Sequence, residues 1–152
     1  MKVAIGSDHA GYELKERLKQ ELDRLGHEVH DVGTHAPAPP VDYPDYCFPV
    51  GELVARGDVD RGIVLGGSGI GESIAANKVR GVRASVVTSD ETASLTRLHN
   101  DSNVLALGGR TNPHADAVRW LGIWLATEFE GGRHLPRLEK IAAYEATHLA
   151  SR

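Results

Sequence analysis

RGIVLGGSGIGESIAANK, residues 61–78, decides how this chain is to be read. Its first half is a short, unbroken apolar run that ends in glycine, as a strand buried on both faces does. Its second half, around SIAANK, reads as a helix. A strand that turns through glycines straight into a helix is the repeating unit of a parallel sheet, where ligands bind beyond the carboxyl ends of the strands. The glycines look like a phosphate cradle, yet Glu72 stands where a nucleotide-binding loop needs a cation.

Two phosphate motifs can be tested on the loop. G-x-G-x-x-G fails in every register: from Gly67 and Gly69 the third position is Glu72, and from Gly69 and Gly71 it is Ile74. G-x-x-x-x-G-K-S runs from Gly66 to Ser73, except that Glu72 replaces the lysine that neutralises the β- and γ-phosphates. A carboxylate there repels a triphosphate, so nucleotide binding is disfavoured. Backbone N–H groups ahead of a helix still stabilise negative charge, whether phosphate or a transient oxyanion. If that charge exists only in the transition state, a nearby carboxylate becomes useful as a general base. Proton abstraction beside a carbonyl needs that base, together with donors for the enediolate oxygen. The plainer alternative is a tight glycine turn in which Glu72 caps its own helix.

Outward from this unit the same alternation continues. VAIGSD (3–8), HEVHDVG (27–33), VRASVV (82–87) and NVLALGG (103–109) read as strands. Between them, residues 12–26 repeat leucine at 14, 18, 22 and 25 and close on Gly26, as an amphipathic helix does. Further helices are expected over 45–57, after an N-cap at Ser89, over 113–129 and over 134–151. Residues 34–44 hold four of the seven prolines and read as a surface loop. Five strands alternating with helices predict an α/β fold, a five-stranded parallel sheet covered on both faces. The last helix is long for a monomer's edge and is expected to reach a partner subunit.

At 152 residues, 41% of them hydrophobic, the chain is expected to be one domain over 1–152. A net charge of -4 without a lysine-rich run argues against a nucleic-acid binder. Any anion site must then be built from a few aimed residues. The single cysteine, Cys47, excludes an intrachain disulfide framework and suits a reducing cytoplasm. No apolar run approaches the ~20 residues that span a bilayer, and no membrane partner is expected.

Other candidates fall near the expected strand ends. Asp8 and His9 close strand one, either as an N-cap pair or as a polar pair gripping a hydroxyl. His99 and Asn100 end the helix before strand five, where a histidine can also act as a cap. Ser68 orients a substrate oxygen or shapes the turn. Arg110 follows strand five, and Arg133 and Arg137 are spaced to share one helix face. Guanidinium forks without an interleaved acid suit a phosphate monoester; the alternative is a solvated face paired with Glu130 or Glu139. No histidine pair shows a metal spacing.

IGSDHAGYELK, VDYPDYC, GGSGIGESIAANKVRGVRA and RLHNDSNVLALGGR together resemble the ribose-5-phosphate isomerase B family, which also holds isomerases of galactose 6-phosphate and allose 6-phosphate. The resemblance implies a Rossmann-like three-layer αβα sandwich and a dimer or tetramer with shared active sites. It also implies a metal-free, cofactor-free interconversion of aldose and ketose phosphates through a cis-enediol(ate), with ribose 5-phosphate and ribulose 5-phosphate as the leading pair. By matching motif, Asp8 and His9 would contact sugar hydroxyls. Gly67, Ser68, Gly69, Ile70 and Gly71 would wrap the reacting end. His99 would open the furanose ring with Asn100 beside it, and Arg110, Arg133 and Arg137 would take the phosphate. Tyr43 would line the sugar. One departure matters: many members place a cysteine base at the end of strand three, where this chain has Gly66. A second branch uses a glutamate just past the glycine loop, and Glu72 occupies that position. A four- or six-carbon substrate, or a non-catalytic binding module, are the competing expectations.

Overall fold

The computed structural model describes residues 1–149. Strands β1 (Lys2–Ser7), β2 (Glu28–Asp31), β3 (Arg61–Gly66), β4 (Ala84–Val86) and β5 (Val104–Gly108) form one sheet in the order β2-β1-β3-β5-β4. Every pairing is parallel. The unbroken apolar runs of β1, β3 and β5 have the reason the sequence suggested, both faces being covered, whereas the edge strand β2 is exposed at alternate residues. Alternate residues Val3, Ile5, Ile63, Leu65, Leu105 and Leu107 face helices α1 (Tyr12–Arg24), α4 (Asp90–Asn100) and α5 (His114–Ala126). Ala4, Val64, Val104 and Ala106 face α2 (Pro44–Arg56) and α3 (Ile70–Ala76). The three-layer αβα sandwich is therefore as expected.

The element ends follow local chemistry. Ser89 accepts from the Thr92 N–H at 3.0 Å and Thr92 answers, a reciprocal cap that starts α4. Gly57, with φ +77°, ends α2 in the left-handed conformation. Helix α3 begins at Ile70 rather than near Ser73, because the glycine loop itself winds into its first turn. Pro113, expected as the first helical residue, is instead the N-cap of α5, which begins at His114.

Helix α6 (Leu135–His148) follows a short 3-10 turn, Gly132–His134. The last positions of the helix expected over 134–151 lie outside the described residues. None of the residues of α6 is buried, and Leu135, Ile141 and Tyr144 are exposed. No described helix is long and apolar enough to cross a membrane.

Candidate active site

The topology brings the carboxyl ends of β1, β3 and β5 side by side. Gly109 N–H donates to the Gly66 carbonyl at 2.7 Å, and Arg110 N–H donates to that of Gly67 at 3.0 Å. The segment after β5 thus lies on the glycine loop. Gly69 makes the turn at φ +82°, where a Cβ would approach the backbone of Leu107 to 3.0 Å. No other residue satisfies both demands.

Glu72 sits in the first turn of α3 and is 3% exposed. Its carboxylate folds back over the loop and occupies the space where a Cβ on Gly66 would lie. The N–H groups of Gly69 and Glu72 bond to it. Its Oε2 is buried and has no hydrogen-bond partner among the described residues. Burial pushes the Glu72 carboxyl above its ordinary range and the negative charge of Asp8 adds to this, against the opposing pull of the two N–H groups.

Asp8 is itself buried, and its Oδ1 accepts from the N–H groups of Ala10 and Gly11 at 2.9 and 3.0 Å. These bonds shape the turn ahead of α1, whose N-cap is Gly11, so Asp8 is not the N-cap expected of it. His9 is fixed from the proline-rich loop, whose Val41 N–H donates to Nδ1 at 3.1 Å. The Val41 carbonyl lies 3.2 Å from the same nitrogen, so the loop meets the ring through both backbone groups of Val41. The Tyr43 ring lies against Gly71, and Ser68 Oγ accepts from the Ile70 N–H at 3.2 Å. Arg110 is exposed beside Gly67.

Cys47 proves nearer than its sequence position suggests. It is fully buried, and its thiol is pushed far above the usual range, chiefly by burial and further by the charges of Glu72 and Asp8. Such a thiol stays protonated and inert.

His99 and Asn100 are placed elsewhere. Helix α4 runs back along the sheet and ends just before β5, whereas the glycine loop lies beyond the opposite end of the strands. The length of β5, about 13 Å, separates the two ends. The expected cluster is thus divided, because a helix after a parallel strand must return the chain to the sheet's amino end.

Around His99 a second group assembles. The His134 ring stacks on it at 4.3 Å, and Glu130 Oε2 lies 4.0 Å from His99 Nε2 and 3.6 Å from His134 Nε2. Arg133 Nε donates to His134 Nε2 at 3.4 Å, and Arg137 Nη1 donates to the Arg133 carbonyl at 2.7 Å. Among the described residues, neither arginine is paired with Glu130 or Glu139. Of the three expected phosphate ligands, Arg110 belongs with Glu72 and the other two with His99. His134 was not a candidate from sequence; its signal is the four-residue spacing to Glu130 across Gly131 and Gly132.

Residues 3–141 match the sequence profile of the Ribose/Galactose Isomerase family. This chain belongs to that family. Ribose-5-phosphate isomerase B of Escherichia coli (strain K12) is 45% identical over 144 residues, covering 95% of this chain and 96% of that protein. Among solved structures, a Clostridium thermocellum ribose-5-phosphate isomerase B superposes with TM-score 0.95 at 49% identity, over 97% of this chain and 99% of that one. Ribose-5-phosphate isomerase B from Mycoplasma genitalium, with bound ribulose-5-phosphate, superposes with TM-score 0.93 at 39% identity, over 96% and 97%. The family match spans both groups of candidate residues, from Asp8 to Arg137.

Proposed function

We propose that this protein interconverts D-ribose 5-phosphate and D-ribulose 5-phosphate through a cis-enediol(ate), with Glu72 as the base. The observation that carries the reading is the Glu72 carboxylate, buried over Gly66 with a free Oε2 and a raised pKa. A base that moves a carbon-bound proton gains strength from this environment, and the backbone N–H groups of the glycine loop face the developing oxyanion. Asp8 and His9, held at the same sheet end, take sugar hydroxyls. The likeness to relatives named for ribose 5-phosphate, one of them holding ribulose-5-phosphate, supports the five-carbon pair.

His99 is assigned the ring-opening step, with Asn100 beside it and Arg110, Arg133 and Arg137 on the phosphate. Since His99 lies a sheet length from Glu72 in one chain, a working site joins Glu72, Asp8 and Arg110 of one subunit to His99, Arg133 and Arg137 of another. Two exposed apolar surfaces favour such a pairing: Ile70 and Ile74 on α3, and Leu135, Ile141 and Tyr144 on α6.

The test is isomerisation of four-, five- and six-carbon sugar phosphates by wild type and Glu72→Gln. Turnover strongest on ribose 5-phosphate, reduced at least ~100-fold in the variant with KM little changed, is the expected result. Near-normal turnover by Glu72→Gln removes Glu72 as base. A preference for another chain length replaces the substrate and keeps the mechanism, and inactivity on every sugar rejects the isomerase reading.

A further inference from the structure

His99 has been given one task, but the groups around it are arranged for another. Arg97 donates to the Thr127 carbonyl at 3.1 Å, and Glu130 N–H donates to that of Leu98 at 3.1 Å. These bonds fasten the segment after α5 to the end of α4. Gly131 and Gly132, both at positive φ, then turn the chain so that His134 returns beside Glu130. The result is two imidazoles and a carboxylate whose ligand atoms all lie within 4.8 Å of one another. Neither histidine nitrogen hydrogen-bonds to Glu130, since both distances exceed 3.5 Å. The N–H of Arg133 approaches Nε2 of His134, which leaves that nitrogen as the lone-pair side of the ring.

We infer that His99, Glu130 and His134 form a binding site for a late first-row divalent ion such as Zn2+, and that the ion inhibits the enzyme. Two imidazoles with one carboxylate, and a fourth position open to water, suit Zn2+, Co2+ or Ni2+ and not the oxygen-seeking Mg2+ or Ca2+. Tetrahedral Zn2+ with bonds of about 2.0–2.1 Å needs ligand atoms ~3.3–3.4 Å apart. Glu130 Oε2 and His134 Nε2 are already at 3.6 Å. The two rings are nearly parallel, 19° apart, so one must tilt to aim its lone pair at the shared ion. His134 is fixed by burial, whereas the His99 side chain is 35% exposed and can make that movement. Arg133 is the opposing group: its guanidinium must leave His134 Nε2, which its exposure permits.

The inhibitory consequence rests on the ring-opening role proposed for His99. A nitrogen that ligates a metal has no proton to give, so an occupied site blocks opening of the furanose while leaving Glu72 untouched. Inhibition should therefore be greater on ring-form aldose phosphates than on the open-chain ketose.

Co2+ titration of the full chain, followed by visible d–d absorption, reads the site without turnover. The expected result is a saturating spectrum at one ion per chain that Zn2+ displaces. Glu130→Gln and His134→Gln should each weaken binding by more than ~100-fold, beyond the ~10–100-fold that outer-shell losses cost. His148→Gln, on the exposed face of α6, should bind as wild type. No spectrum, or one that survives both ligand variants, overturns the site. Zn2+ that binds without slowing ring-form turnover overturns the inhibition. A normal Co2+ spectrum on a chain that isomerises no sugar phosphate keeps the site and rejects only the isomerase reading.

Discussion

Among the described residues no countercharge accompanies the buried Glu72 carboxylate; the charge that acts on it is that of Asp8, of the same sign. Both burial and that neighbour favour the protonated form, so the group is a stronger base than an exposed glutamate. As the proposed base it must be ionised, so activity should fall as pH drops through a value above the ordinary carboxylate 4.5. Asp8→Asn removes one of the raising influences, so the acidic limb of the kcat/KM profile should move to lower pH. It should do so even though the absolute rate falls with a lost sugar contact. A limb that stays in place would mean another group controls it. Gly66 is the second half of this arrangement. Any Cβ at 66 falls on the Glu72 carboxylate, so Gly66→Ala must evict it from the loop. The far end of a glutamate can swing aside, and the fold should lose no more than about 1–3 kcal/mol, as overpacking does. Turnover should fall by at least ~10-fold, toward the loss seen without a base. Unchanged kcat in a folded Gly66→Ala variant would show that the carboxylate works from another place.

Helix α1 is tied to β2 by an ion pair that the hydrophobic pattern does not reveal. The Lys15 side chain is fully buried and its Nζ lies 2.6 Å from Asp31 Oδ2, with Glu16 at 3.0 Å. Burial pulls the Asp31 carboxyl upward, but hydrogen bonds from Lys15, Lys19 and the Gly33 N–H outweigh it and hold the group below its ordinary value. Asp31→Asn leaves the Lys15 ammonium buried with its main partner gone and should cost about 3–5 kcal/mol in chemical denaturation. Lys15→Met removes the buried charge itself and should cost less; the reverse order would refute this account. The elements were legible where a period repeats, as in the leucines of α1, or where a cap is local, as at Ser89. Their edges were less so. β4 spans only Ala84–Val86 of the six residues expected. Its outer edge is closed by the Asn77 side chain, which accepts from Ala84 N–H at 2.8 Å and donates to its carbonyl at 2.9 Å. No local pattern announces such a contact.

At the scale of the whole molecule, sequence could name Glu72 and His99 but not their separation. Proximity to a strand end is local information, whereas which end a helix returns to depends on the crossover. Asp8, Glu72 and Arg110 were legible together because each follows the carboxyl end of a strand. His134 and Glu130 were not, since only the Gly131–Gly132 turn folds them onto α4. The separation also makes the assembly testable by mixing lesions. Co-expressed Glu72→Gln and His99→Asn chains, each inactive on ring-form substrate alone, form heterodimers as half of a random population. If Glu72 and His99 meet across a two-fold contact, each heterodimer carries one doubly altered site and one intact site. About a quarter of wild-type activity should then return, by the symmetry of a closed dimer. If both residues served the same subunit, every site would keep a lesion and the mixture would stay as inactive as its parts. A purified hetero-oligomer with no restored turnover would thus reject the shared site while leaving Glu72 as base untouched.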